Sequence, residues 1–539
     1  MKKWLVITVV AVLVVIIAIV GVALVLGRDS SVPDDTTDTK DLSVTVGTDD
    51  TRAPDETDTQ HQTDPEDSDS DTADTVSADS SFEVAEDDTV TPEVTTKTPG
   101  TTKTPGTTKT PDTTKAPVTT KTPDTTKTPV TTKTPDPLKA PDHSKFTLPI
   151  MYVETENREK IKTRSYYLSA NITITGSKTN INSAPAGIKG RGNSTWTEFV
   201  KKPYRIKFTA KQDLFGMGAN KDWVLLANAM DLSMMRNYTA FTMAKNFEYD
   251  RYTSGCQFIH LYLNGEYNGV YLLCEQVEEG KTRVNVGTAA QGKAITGSDI
   301  DIGYLIKYGG VSADKTDVTF KIKSGSIVWK SSFKAIIKSP KNATSAQSNY
   351  ISNYVNRVNA AIGAHDWAAI TSLCDINTFV DNFIINQYMF SGDMGWVFYM
   401  YKEPGGKLCL GPLWDFDQCA GNSAWGGTGY AGWDAKSPHL WFVELIEMDE
   451  FRDLVIKRWL QKYDYIHTTL PNNIRATVKA MKVDIDANYY KWPEFGVYHW
   501  RDVLVLQALE THDEHVEYLL KWLNNRVIWI ERELGIEKK

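Results

Sequence analysis

Two aspartates, Asp415 and Asp417, sit in the segment GPLWDFDQCAGN (411–422), which is otherwise apolar and opens and closes near glycine. In an extended chain, residues two apart point to one face, so both carboxylates would converge while Phe416 faced the other way. Like charges held that close repel unless a proton or a cation lies between them. A third acid, Asp393, stands upstream in QYMFSGDMGWVFYMYK (387–402). The strand WVFYMYK, a PGG turn and a second strand, KLCLGPLWDFD, read as a hairpin that returns Asp415 toward Asp393.

The complementary charge stands earlier, in GIKGRGNSTW (187–196), where Gly187, Gly190 and Gly192 surround Lys189 and Arg191. Glycines let backbone N–H groups approach an anion, and an arginine fork binds phosphate through two donors. The next segment, KKPYRIKF, reads as a strand that carries Arg205 and Lys207 on one face, able to aim a cation at phosphate under the loop. A plain turn followed by a solvated strand edge would use the same residues. Acids downstream of an anion-binding loop suit metal-assisted phosphoryl transfer, in which a metal neutralises phosphate and a carboxylate orients the attacking hydroxyl. On these residues alone two other chemistries stay open. Paired carboxylates also hydrolyse glycosides, and the 15 tryptophans could line a sugar cleft. A structural calcium site is the third.

These residues need a scaffold, and β-branched and aromatic runs supply one. Strands are expected in 165–176, 203–208, 222–228, 257–265 and 269–277, with NGEYNG (264–269) as the turn between the last two. Asp231 and Ser233 mark the start of a helix running to about Phe247, and Asp375 another that ends at Ser391 and Gly392. Beyond Pro438 helices dominate, the last over about 510–534. Nearly 400 residues exceed the usual size of one core, so two lobes are expected, strands first and helices afterwards, in an α+β architecture.

The preceding residues are of another kind. Trp4 to Leu26 form an uncharged apolar run of 23 residues, roughly 34 Å as a helix and enough to cross a bilayer core of about 30 Å. Lys2 and Lys3 before it place the N-terminus in the cytoplasm, so residues 1–27 read as a cytoplasmic tip and uncleaved anchor of a single-pass membrane protein, with everything after Arg28 outside. Residues 28–94 hold 22 acidic and 3 basic side chains and are expected to be a disordered linker. Their net −19 exceeds the whole chain's −9, which leaves the rest at +10. Residues 95–145 repeat a TTKTPG-like hexapeptide, too short and polar for a solenoid, and read as an extended stalk. The folded cargo is 146–539.

Other conspicuous residues have plainer readings. Five cysteines (Cys256, Cys274, Cys374, Cys409 and Cys419) leave at least one unpaired within a chain, and none forms a CxxC motif. Cys409 and Cys419 could bridge across the acid pair, but buried free thiols are the expectation. His512 and His515, one turn apart beside Asp513 and Glu514, read as a solvated helix face. Tryptophans in DWVLL, PLWDF and VIWIE read as packing, and Trp425 and Trp433, in a Gly-rich segment, as substrate contacts. No clustered basic face suggests nucleic acid.

Taken in order, KGRGNSTW…KKPYRIKF, NGEYNGVYLLCEQVE and GPLWDFDQCAGN resemble the CotH kinase family, named for spore-coat protein H, over roughly residues 147–530. The resemblance implies a two-lobed, atypical protein-kinase-like domain that transfers phosphate from ATP, with Mg²⁺ or Mn²⁺, to Ser/Thr of surface or secreted proteins. It implies Asp415 as the metal-binding aspartate, Asp417 as the acid beside it and Asp393 as the catalytic base. Arg191 and Lys207 fall in motifs that meet phosphate, and Glu275 near the adenine-binding segment. One position departs from the pattern: Val397 stands where many relatives carry a small polar residue, and valine ligates no metal. That departure leaves a second metal site in question and keeps a non-catalytic module, binding protein or glycan, as the alternative.

Overall fold

The computed structural model describes residues 139–537 except 177, 179, 288–298, 310–316, 324–333, 391–396, 424–428, 434–439 and 500–502. The expected anchor, acidic linker and nearly all of the stalk lie outside the described residues, as do Asp393 and Trp425. No helix among the described residues is long and apolar enough to cross a membrane.

The β-branched runs form seven strands: β1 Ile150–Thr155, β2 Leu168–Thr175, β3 Ile181–Gly190, β4 Tyr204–Gln212, β5 Asn220–Leu226, β6 Cys256–Leu263 and β7 Glu266–Glu275. They close into a barrel in the order β1-β2-β3-β4-β5-β7-β6, and the closing pair, β1 with β6, is parallel. Alternation decides what each face meets. Ile172, Ile188, Ile206, Trp223 and Leu273 fill the interior. On the opposite face Lys189 pairs with Arg205, Arg205 with Val224, and Val224 with Cys274. Val224 and Cys274 belong to the larger core of the helical part, so this row of the barrel wall faces the rest of the domain.

The β6–β7 turn is tighter than expected, since β7 already begins at Glu266. Asn264 and Gly265 both adopt left-handed φ, 51° and 79°, as a two-residue hairpin turn of this hand requires. A larger revision concerns GIKG (187–190). It ends β3 and is not loop; a Cβ at Gly190 would lie 2.4 Å from the Trp196 ring, so that glycine serves side-chain packing. The run INSAPAGIKG lacks alternation and contains a proline, which hides a strand from periodicity.

A second sheet, β12-β11-β8-β10-β9, is built from β8 Tyr304–Gly309, β9 Thr319–Phe320, β10 Lys334–Ser339, β11 Val397–Lys402 and β12 Leu408–Leu410. The expected hairpin is present as β11 and β12, but β12 stops at Leu410 and residues 411–416 form no strand. The helix Arg236–Phe247 lies between β5 and β6, ending where expected, with the Asp231 carboxylate accepting the Arg236 N–H at 2.8 Å. The helix Ile376–Met389 is buried from Thr378 onward and closes at Phe390, in left-handed conformation, instead of at Ser391. The last helix, His512–Leu534, opens with a capping box between Thr511 and Glu514. Helices dominate the C-terminal part, and the fold is α+β with strands concentrated toward the N-terminus.

One side-chain reading is overturned. His512 and His515 are buried, not solvated, because the first turn of the last helix packs under the segment that precedes Arg236: His512 Nε2 donates to the Ser233 carbonyl at 3.0 Å. Burial, followed by the Arg236 charge, pushes His515 down to about 4. Trp433 packs edge-on against Trp529, 4.9 Å between centroids, and near Phe383, which ties its ring to the core. The expected packing of Trp223, Trp414 and Trp529 holds, and all five cysteines are free.

Where the stalk meets the domain, one buried acid fixes the chain. Asp484 accepts hydrogen bonds from Thr147 N at 2.9 Å, Thr147 Oγ1 at 2.5 Å and His260 Nε2 at 2.7 Å, while Phe146 stacks on His260 at 3.6 Å. Burial holds His260 below its ordinary value, so the ring is neutral, with Nε2–H toward Asp484 and Nδ1 accepting from Tyr267. Burial alone would raise Asp484, but the bonds from His260 and Thr147 more than offset it and hold it below the usual carboxylate value. A depressed carboxylate stabilises the fold above its unfolded value and loses that contribution as pH falls through the folded one. Asp484→Asn weakens these charge-assisted bonds and is therefore expected to destabilise by about 2 kcal/mol at pH 7. In thermal unfolding the gap to wild type narrows below the ordinary carboxylate value of 3.8.

Candidate functional site

Asp415 does not lie in an extended chain. Its φ is +74°, a left-handed conformation uncommon for a residue with a side chain, so the argument that placed Asp415 and Asp417 on one strand face does not apply. The turn carries the two acids differently. Asp415 is exposed, and Asp417 is partly buried and has an interaction partner of its own.

Neighbouring backbone groups explain how the turn is held. Phe416 N–H donates to Asn237 Oδ1 at 2.9 Å, which fixes the peptide plane that follows Asp415. Ala420 N–H donates to the Met389 carbonyl at 2.6 Å, Asn422 Nδ2 bonds the Asp417 carbonyl at 2.7 Å, and Tyr518 donates to the Gly421 carbonyl. Before the turn, Gly411 has φ +126°, and a Cβ there would lie 2.8 Å from the Asp250 carboxylate. Burial pushes Asp250 up to about 6, and it accepts the Leu413 N–H at 3.3 Å.

Arg191 leaves the end of β3, where its N–H donates to the Pro203 carbonyl at 3.2 Å and closes the base of the connection 191–203. Its guanidinium lies 5.6 Å from the centre of the Trp414 ring. Burial lowers the Arg191 value, and the Asp415 carboxylate is the first charge to act against that. Tyr399 of β11 lies in the same field: burial pushes it up to about 12, with Arg191 and Asp415 acting on it in opposite directions. Arg191 and Asp415 thus lie within electrostatic reach of each other, one at the end of a barrel strand and the other in the turn after β12.

Lys207 sits one step further along the barrel wall, opposite Gly187 and Asp222. Arg205, on the same face, donates to Asp222 Oδ1 through Nε at 3.0 Å and Nη2 at 2.7 Å. Glu278, just past β7, was missed in the sequence, although the acidic EE after CEQV was there to find. Its Oε1 is buried and makes no hydrogen bond among the described residues. Burial, then Asp222, pushes the Glu278 carboxyl up to about 7, against the pull of Arg205, Arg283 and Lys207.

Glu275 is placed differently from its neighbours. Its register partner is Trp223, on the opposite face from Cys274, and its carboxylate takes the Gly255 N–H and Arg283 Nη1, each at 2.5 Å. It lines a cavity of about 250 Å³ with Lys245, Arg251, Tyr252 and Arg283. Glu275 therefore braces the chain leaving β7.

The donor set fits a hard cation that shares phosphate as a ligand. Mg²⁺ is commonly held by one or two carboxylates plus substrate phosphates and water, and the exposed Asp415 carboxylate is a ligand of that kind. Among the described residues no group of three or more His, Cys, Asp or Glu could hold a metal on protein ligands alone. Val397, buried at the start of β11, contributes nothing to one.

Barrel and turn together define an α+β protein in which a cationic barrel wall opposes an acid-bearing loop. The chain belongs to the CotH family: the family described as CotH kinase protein matches residues 188–530, most of the folded region. No curated protein matches the chain.

The raised Glu278 value has a testable consequence for stability. The folded state keeps its proton where the unfolded chain has lost it, so stability falls as pH rises from the ordinary 4.5 through about 7. Glu278→Gln removes that cost. Its melting temperature is expected to exceed wild type at pH 8 and to match it at pH 4, as calorimetry would show.

Proposed function

We propose that this chain is a membrane-tethered, extracytoplasmic protein kinase that transfers phosphate from ATP to Ser/Thr hydroxyls of surface or secreted proteins. The observation that carries this reading is that Arg191 and Asp415 lie within electrostatic reach of each other, in a chain that belongs to the CotH kinase family. Phosphoryl transfer needs chiefly positioning and charge stabilisation, and these residues offer both. Arg191 holds a phosphate oxygen from the barrel side, with Lys207 further along the same wall. Asp415 and Asp417 hold Mg²⁺ or Mn²⁺, which would supply neutralisation of phosphate charge. Glu278, whose Oε1 has no hydrogen-bond partner among the described residues, accepts a hydrogen bond from a nucleotide hydroxyl. Asp393, six residues or fewer from both the helix Ile376–Met389 and β11, orients the acceptor hydroxyl. The sequence's apolar run and Thr/Pro repeats would carry this domain outward from the membrane.

Val397 favours a second reading, a surface-displayed pseudokinase that binds protein or glycan without turnover. Incubating the full chain with γ-labelled ATP and Mg²⁺ or Mn²⁺ separates the two. The kinase reading expects label on the chain itself or on a generic acceptor, reduced about 100-fold or more by Asp415→Ala. Absence of both label transfer and nucleotide binding would remove it in favour of the binding module.

A further inference from the structure

The acid-bearing turn is held by side chains at the start of the helix Arg236–Phe247. Arg236 and Asn237 open the helix Arg236–Phe247, and both are buried. Asn237 Oδ1 accepts the Phe416 N–H, the first donor after Asp415. Arg236 Nε donates to the Cys419 carbonyl at 2.8 Å and Nη2 to the Ala420 carbonyl at 3.2 Å. Two consecutive side chains thus grip both ends of the turn 416–420.

The grip is itself anchored. Arg236 Nη1 lies 2.5 Å from Asp231 Oδ1, which also accepts Ser233 N–H at 3.1 Å and Ser233 Oγ–H at 2.5 Å. His512 holds the Ser233 carbonyl and Tyr489 the Leu232 carbonyl, so three helices converge on this segment. Within the turn, Asp415 and Ala420 adopt left-handed φ, at +74° and +46°, which cost energy for residues with side chains and persist only when neighbours enforce them.

We propose that Asn237 and Arg236 are positioning residues that set the Asp415 carboxylate for metal-bound phosphate by fixing the peptide groups on either side of the turn. This inference rests on the reading of Asp415 as the metal-holding acid. A residue acting only on global stability would weaken all ligand binding alike, whereas a positioning residue affects the metal-dependent part alone.

The test measures ATP binding to the full chain, without metal and across a Mn²⁺ titration, for wild type, Asn237→Ala, Asn237→Asp and Arg236→Lys. Asn237→Ala is expected to raise the half-saturating Mn²⁺ concentration at least about tenfold, which is 1.4 kcal/mol, with metal-free ATP binding unchanged. Asn237→Asp keeps an acceptor oxygen at the same place and is expected to restore the wild-type titration to within about threefold. Arg236→Lys keeps the charge beside Asp231 but cannot serve both carbonyls, and is expected to resemble Asn237→Ala. It carries the test if Asn237→Ala fails to fold. Asn237→Ala and Arg236→Lys proteins that fold and titrate like wild type, or that lose metal-free and metal-dependent binding together, overturn the proposal. A wild-type chain that binds ATP without any response to Mn²⁺ removes the reading of Asp415 itself, and this inference with it.

Discussion

A buried ion pair, Arg236 with Asp231, ties the domain's parts together. Both side chains are almost wholly removed from water. A guanidinium in that position must find partners for its donors, because an unpaired buried charge costs several kcal/mol. Arg236 finds four: Asp231 and Ser233 before its own helix, and the carbonyls of Cys419 and Ala420 almost two hundred residues later. The desolvated charge therefore dictates where the acid-bearing turn lies. Replacing the pair with apolar residues could retain the fold, but it would leave those two carbonyls without their donors.

Barrel closure supplies the other half of the site. A closed sheet has no edge to slip, so its register fixes which side chains look outward. Lys189, Arg205 and Lys207 follow from that alternation, and the apolar Val224 and Cys274 in the same rows seat this wall on the larger core. The wall's register and the turn's hydrogen bonds are thereby set by the fold itself. Such preorganisation lets a few charges act strongly on phosphate, since little rearrangement is needed on binding.

Much of this layout is legible in the sequence, and the exceptions have physical causes. Strands β2, β4, β5, β6 and β7 announce themselves by β-branched and aromatic residues, and Arg205 and Lys207 share a face as spacing requires. β3 does not, because its apolar pattern is broken by Pro185 and by glycines that accommodate Tyr167 and Trp196. The acids of WDFD are visible as types, but their arrangement is not: the left-handed Asp415 depends on Asn237, a distant residue that no local rule connects to it. His512 and His515 mislead for the same reason, since adjacent acids suggest solvent while the helix buries its histidine face against residues 231–236. Glu275 illustrates the period-two rule in reverse, for one step along β7 separates it from the face that Cys274 shares with the barrel cations.

The central claim is that phosphate and a divalent cation meet between Arg191 and Asp415. The most direct measurement is anomalous diffraction from crystals grown with Mn²⁺ and a non-hydrolysable ATP analogue. The account predicts a manganese peak within coordination distance of an Asp415 oxygen, with analogue phosphate on the Arg191 side. Analogue bound with manganese absent from Asp415, or phosphates seated away from Arg191, would contradict it.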